Sequence, residues 1–322
     1  MRGGMRGDQE ERFESDVATS LSNQLWCRCT RAPIRGNSRA IAAKNAAEGE
    51  MMEKTEADYK NWVPAGMIRG FLLGSAAALL LFLGIVLLRL FSYRENLAGG
   101  AVLLVIAICL FAMGGVLLHM YRTFDYKNPD ALSWRIIRGV ASCIRIPEGG
   151  TCLDVGCGSG ALTIEIAKRN PSAAVTGCDR WGKEYASFSQ KLCEQNARAE
   201  KVQNAVFVPG DAAALPFADG TFDALTSNYV YHNIPSRDRQ ALLLETLRVL
   251  KDGGTFAIHD LMSADRYGDM EQFMEKLRDD GYRNVELIPT GNGKFMTAKE
   301  CGQNFLSGTA LLVGEKHRGE NR

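Results

Sequence analysis

Two uninterrupted apolar stretches dominate the front half of the chain, and a strand–helix alternation fills the back half. Gly70 to Leu88 is apolar throughout, between Arg69 and Arg89, and Leu97 to Met120 is apolar except for His119 near its end. A helix that crosses a bilayer needs about 20 apolar residues at a rise of about 1.5 Å each. Neither stretch keeps the polar stripe of a buried helix in a soluble domain, so the pattern predicts two membrane-spanning helices. The short connector FSYRENLA makes them a hairpin with both ends on one side. Lys54, Lys60 and Arg69 precede it, Arg122, Lys127, Arg135 and Arg138 follow it, and only Arg89 and Arg94 lie between. That excess predicts cytoplasmic ends. Phe91, Tyr93, Tyr121, Phe124 and Tyr126 sit near the helix ends, where aromatic side chains favour the interface. The small-residue runs Gly74-Ser75-Ala76-Ala77-Ala78 and Gly99-Gly100-Ala101 would let the two helices approach closely, and would equally let two copies associate.

Residues 121–150 read as a linker and a lead-in helix. Asn128-Pro129-Asp130 starts the helix, Ala131, Trp134, Ile137 and Ile144 share one side, and Pro147-Glu148-Gly149-Gly150 turns out of it. Beyond residue 150 the strands are TCLDVG, AVTGCD, NAVFVPGD, FDALTSNYV, GTFAIHD, NVELIP and GTALLVGEK. The helices between them are ALTIEIAKRN, KEYASFSQKLCEQNARAE, RDRQALLLETLRVL and YGDMEQFMEKLRDDG. Such alternation predicts a mostly parallel sheet with right-handed crossovers, its final pair adding an antiparallel strand. Ligands of such sheets bind at the carboxyl ends of the strands. The expected division is a tail over 1–66, the hairpin over 67–120, the linker and lead-in helix over 121–150, and an α/β domain over 151–322.

Composition narrows the classes of function. A net charge of +1 over 322 residues argues against a basic nucleic-acid binder. Nine cysteines occur without any CxxC pair, which reads as reduced thiols with no zinc site, Cys27 and Cys29 lacking a second ligand pair. Residues 1–50 are polar and Arg-rich without period or apolar h-region, so no secretory signal is expected and a disordered tail is. Glu48-Gly49-Glu50 precedes Met51-Met52 and is encodable as a ribosome-binding-site-like run, so translation is expected to start at Met51 or Met52.

The candidate chemistry begins at LDVGCGSG. Gly156, Gly158 and Gly160 follow the first strand directly, where glycine allows positive φ and lets a ligand touch the backbone. The spacing is GxGxG, with Ala161 where a dinucleotide fingerprint would place its next glycine. Asp179 ends the second strand and suits ribose hydroxyls. Asp211 ends the third and suits the amine of adenine. Asp154 lies inside the first strand end, able to organise the loop or to reach an ammonium. Taken together, LDVGCGSG, GCDRWG, GDAAALPFADGTFDALTSN and LRVLKDGGTFAIHD resemble the ordered motifs of class I S-adenosylmethionine-dependent methyltransferases, closest to the ubiquinone/menaquinone type, over roughly residues 126–316. The resemblance implies a Rossmann-like α/β fold, a seven-stranded mostly parallel sheet with the last strand antiparallel. It implies S-adenosylmethionine held by Asp154, Gly156, Cys157, Gly158, Gly160, Asp179, Arg180, Asp211, Ala212 and Asn228. Arg180-Trp181-Gly182 departs from the family pattern; Trp181 either covers adenine or packs.

Methyl transfer would take place at the end of the fourth strand, in SNYVYHNIP, where Asn228, Tyr229, Tyr231 and His232 are candidates. His232 could serve as general base or merely pack the next loop. His259-Asp260 ends the fifth strand and could orient an acceptor or bond structurally. The space between the lead-in helix and the fourth strand end is the expected pocket. The sequence therefore supports a membrane-anchored methyltransferase acting on a small-molecule or lipid acceptor at the cytoplasmic face. A non-catalytic S-adenosylmethionine-binding membrane sensor is the alternative. A nucleotide-dependent oxidoreductase is disfavoured by the GxGxG spacing and Asp211. A nucleic-acid methyltransferase is disfavoured because SNYV stands where an NPPY-type tetrad would; no metal is expected.

Overall fold

A computed structural model describes residues 56–88, 93–182 and 187–317. The expected translation start, Cys27, Cys29 and most of the tail lie outside them. Two long helices come first, α1 (Ala65–Leu88) and α2 (Tyr93–Thr123). Both are long and apolar enough to cross a membrane. The second begins at Tyr93, inside the expected connector. Small residues set their approach: Ser75 Oγ donates to the Ala107 carbonyl at 2.8 Å. A Cβ on Gly114 would lie 2.8 Å from Leu72, and one on Gly100 3.1 Å from Phe82. Hydrogen bonds and close backbone approach are the means by which helices associate where lipid is as apolar as the side chains.

The lead-in helix α3 (Leu132–Ala141) starts four residues after Asn128, not at the expected Asn128-Pro129-Asp130. The Asn128 side chain accepts the Asp130 N–H at 3.0 Å, a local turn that competes with helix. The strands expected after it are all present: β1 (Thr151–Val155), β2 (Ala174–Asp179), β3 (Ala205–Pro209), β4 (Phe222–Asn228), β5 (Leu250–Leu261), β6 (Tyr282–Pro289) and β7 (Thr309–Lys316). They form one seven-stranded sheet in the order β3-β2-β1-β4-β5-β7-β6, with β7 antiparallel to both neighbours. The order reverses between β1 and β4, the switch point at which such sheets bind ligands.

Alternation along each strand supplies two cores. Cys152, Val175, Ala224 and Leu311 face α3, α4 (Ala161–Arg169) and α5 (Gln190–Ala199), whose Ile136, Ile137, Ile164, Ile166 and Cys193 pack against them. Leu153, Leu225, Ile258 and Leu312 face the other way, onto α6 (Arg239–Arg248) and α8 (Met270–Asp279) through Leu243, Leu247, Phe273 and Leu277. The short helix α7 (Ala264–Tyr267) links β5 to α8, and α9 (Ala298–Gln303) lies between β6 and β7. The last residues of the expected tail are among the described ones. Tyr59 and Val63 are 3% and 1% exposed; Tyr59 packs in the core beside α3, and Val63 packs against the start of α1 and the end of α2.

Candidate active site

The glycine loop leaves β1 with Gly156, Gly158 and Gly160 at φ 70°, 57° and 85°, a region that L side chains rarely occupy. A Cβ at Gly156 would collide with Val230 of the segment after β4, whereas one at Gly158 would meet only the Phe188 ring at 3.7 Å. The first glycine therefore serves packing, and the second leaves a bare backbone for a ligand. The loop is held from below. The Gly158 N–H donates to Asp179 Oδ2 at 2.8 Å, and the Gly158 carbonyl accepts from Trp181 Nε1 at 2.9 Å and Cys193 Sγ at 3.2 Å. Trp181 thus lies on the loop, in the left-handed region at φ 45°. Cys157 is buried, and burial pushes its thiol well up, so it lines the loop as a small apolar group. Arg180 is exposed beside Asp179.

Asp154 turns inward. It is 1% exposed and accepts from Thr163 Oγ1 at 2.6 Å and Thr226 Oγ1 at 3.1 Å, tying β1 to α4 and β4; these bonds make it an organiser of the loop. Burial pushes its carboxyl up to about 7, against the two hydroxyl bonds and helped by Asp179. Between the unfolded carboxyl range near 4 and about 7, the folded chain keeps a proton that the unfolded chain has lost. This group's contribution therefore falls as pH rises through that window. Asp154→Asn has no such term, so its melting temperature relative to the parent should climb from pH 4 to 7, by an equivalent on the order of a few kcal/mol. A constant difference across pH would contradict this.

Asp179 uses Oδ2 on Gly158 and Oδ1 on the Trp181 N–H at 2.7 Å. A carboxylate has about four lone-pair sites, so it retains capacity for two ligand hydroxyls. Asp211 is exposed at the end of the third strand and shapes the next turn by accepting from the Ala213 N–H at 2.9 Å. Ala212 packs under that turn against the second core. A glycine loop after β1, with carboxylates at the ends of β2 and β3 successively beside it, fits the methionine, ribose and adenine parts of S-adenosylmethionine.

The end of β4 carries a second constellation. Asn228 and His259 face each other across β4 and β5, and His259 Nδ1 donates to Asn228 Oδ1 at 2.8 Å. His259 Nε2 lies 2.8 and 3.0 Å from the Thr290 and Thr309 hydroxyls, one of which donates to it. The ring is fully buried, and burial lowers its pKa to about 3 despite Asp260. His259, expected among the catalytic groups, is accordingly neutral with both nitrogens engaged, Nδ1 on Asn228. Tyr231, also a candidate, is fully buried and bonds Thr246 at 2.6 Å.

Asp260 points to the opposite face of the strand from His259, as successive strand residues do. It accepts from the Tyr231 and His232 N–H groups at 2.8 and 3.2 Å, and its Oδ1 lies 2.5 Å from His232 Nδ1. Burial opposes its charge, but the His232 ring and the backbone N–H groups outweigh that and hold its carboxyl below the usual range. An ionised acceptor at Nδ1 fixes the tautomer with hydrogen there. Nε2 is then the basic atom. The His232 side chain keeps 18% of its surface open. Tyr229, at φ 56°, sets its ring 6.0 Å from that of His232 and 4.7 Å from that of His259. Non-glycine residues at positive φ gather at functional sites. Phe295, from the segment after β6, packs on Gly139 of α3 and lies 5.3 Å from His259, so aromatic rings pack between α3 and the end of β5. A separate cavity of about 360 Å³ among Leu244, Arg248, Asp280, Tyr282 and Lys316 includes none of these groups.

Residues 153–258 match the family model described as a methyltransferase domain. The chain is 30% identical over 159 residues to a demethylmenaquinone methyltransferase of Bacillus licheniformis, covering 48% of this chain and 64% of that protein. It is 35% identical over 126 residues to a ubiquinone/menaquinone biosynthesis C-methyltransferase of Geobacter sulfurreducens, covering 39% and 46%. It is 30% identical over 179 residues to a 27-O-demethylrifamycin SV methyltransferase of Amycolatopsis mediterranei, covering 54% and 62%. The match thus spans about half to two-thirds of each relative's own length. With the glycine loop, the strand-end acids and the sheet order already in place, these matches support a class I S-adenosylmethionine-dependent methyltransferase domain around residues 153–258.

Proposed function

We propose that this chain is a membrane-anchored methyltransferase with its catalytic domain at the cytoplasmic face. Its acceptor is a small lipid-soluble molecule, methylated at an oxygen or carbon that must first give up a proton. The His232–Asp260 pair carries this reading. Bound S-adenosylmethionine would supply a methyl group on a positively charged sulfur. The glycine loop, Asp179 and Asp211 would hold it. His232 Nε2 would take the acceptor's proton, and Asp260 would stabilise the imidazolium that results. Tyr229 and Phe295 would shield the site from water.

Two observations favour a lipid-soluble acceptor. The two apolar helices lead straight into the domain, and two of the relatives are named for quinone methylation. The sensor reading needs no general base, and an ordered Asp–His pair disfavours it. Vesicles holding a hydroquinone or phenol should make the full chain release S-adenosylhomocysteine from S-adenosylmethionine. Binding without release would favour the sensor. Anchoring has its own check: the chain should stay with membranes through alkaline carbonate extraction, and inverted vesicles should expose the domain to protease. Release into the alkaline supernatant would remove the anchor from the account.

A further inference from the structure

Residues 57–63, just ahead of α1, are bound to the domain. The Tyr59 ring meets Trp134 edge-on with centroids 5.3 Å apart and leans on Tyr126 at 5.5 Å, and its hydroxyl donates to Glu200 at 3.1 Å. Asn61 Nδ2 donates to the Tyr121 carbonyl at 2.7 Å, while its Oδ1 accepts the Val63 N–H at 2.9 Å. One short segment therefore ties the entry of the first apolar helix to the exit of the second, and both to α3 and α5.

The segment also reaches the glycine loop through Asn196 of α5, which is 2% exposed. Asn196 Oδ1 accepts the Asp58 N–H at 2.8 Å. Its Nδ2 donates to the Ser159 carbonyl at 3.0 Å and to the Asp58 carbonyl at 3.3 Å. The amide plane is rigid, so one orientation serves both ends. Ser159 lies between two glycines in the left-handed region, where the backbone has little preference of its own. Its carbonyl direction depends on this bond. Without Asp58, a buried oxygen and a buried N–H of Asn196 would lose their partners, and the side chain would turn away from Ser159.

We propose that residues 57–63 form a strap coupling the apolar hairpin to the cofactor loop, with Asn196 as the positioning residue that carries the coupling. This rests on reading the loop as the S-adenosylmethionine site. The seating of the hairpin then sets how well the loop is formed, and a domain cut free at Tyr126 binds the cofactor more weakly than the full chain.

The test uses the full chain in detergent, with calorimetric titration of S-adenosylmethionine into the parent, Tyr59→Ala, Asn196→Ala and the double variant. Each single change should weaken binding by about five- to ten-fold, the worth of one net hydrogen bond. The double variant should be no worse than Asn196→Ala alone, because Tyr59 acts through Asn196. Amide hydrogen exchange at 158–161 should quicken in Tyr59→Ala while that of β6 and β7 stays unchanged. Unchanged affinity and exchange in Tyr59→Ala would overturn the strap, as would losses that multiply in the double variant. If the parent binds no S-adenosylmethionine, the cofactor reading fails. The exchange comparison still decides the strap in that case, and also if Asn196→Ala does not fold.

Discussion

Replacing His232 with Ala should lower kcat by about 10²- to 10⁴-fold, the usual worth of a positioned general base, and leave affinity for S-adenosylmethionine within about two-fold of the parent. The split follows from geometry, since His232 bonds Asp260 while the glycine loop and Asp179 are held by other groups. Asp260→Asn should do comparable damage by a different route. Both carboxylate oxygens accept from backbone N–H groups, Oδ2 from Tyr231 and His232 and Oδ1 from Leu261, so either amide orientation sets an NH₂ group against donors. At Oδ1 it would also face His232 Nδ1 and favour hydrogen on Nε2, the wrong tautomer for a base. Full activity of folded His232→Ala would assign the proton to water or to the acceptor itself. Kinetics beside a melting curve distinguish loss of base from loss of fold.

The second large effect is on cofactor affinity. Asp179→Ala should raise the Kd for S-adenosylmethionine by roughly 100-fold, since charged hydrogen bonds are worth about 1.5–3 kcal/mol each. It also strips the Gly158 and Trp181 N–H groups of their acceptor, so the loop loses its support along with the ligand's. Asp179→Asn keeps one oxygen and should fall between. Calorimetry on the three full-length proteins checks the order. Equal affinities would place the ribose elsewhere.

Much of this was legible in the sequence because parallel strands buried on both faces read as apolar runs, and because a loop needing positive φ three times is written in glycine. The glycine spacing, Asp179 and Asp211 were visible for that reason. What escaped was set by distance along the chain. Tyr59 and Asp58 stand in an aperiodic polar stretch, and their partners Glu200 and Asn196 are 141 and 138 residues away. His259-Asp260 reads as a pair, but strand alternation sends the two side chains to opposite faces. Asp260 goes to His232, and His259 goes to a buried hydroxyl cluster of Thr290 and Thr309. The inward turn of Asp154 depended on Thr163 and Thr226, whose hydroxyls carry no signal in periodicity.

The most direct measurement follows the methyl group itself. Membranes containing the full chain would be given S-adenosylmethionine labelled at the transferable methyl, then extracted with organic solvent. The account predicts label in the lipid-soluble fraction, lost in His232→Ala. Tight binding of S-adenosylmethionine with no label leaving it, in membranes supplied with reduced quinones and phenols, would contradict it.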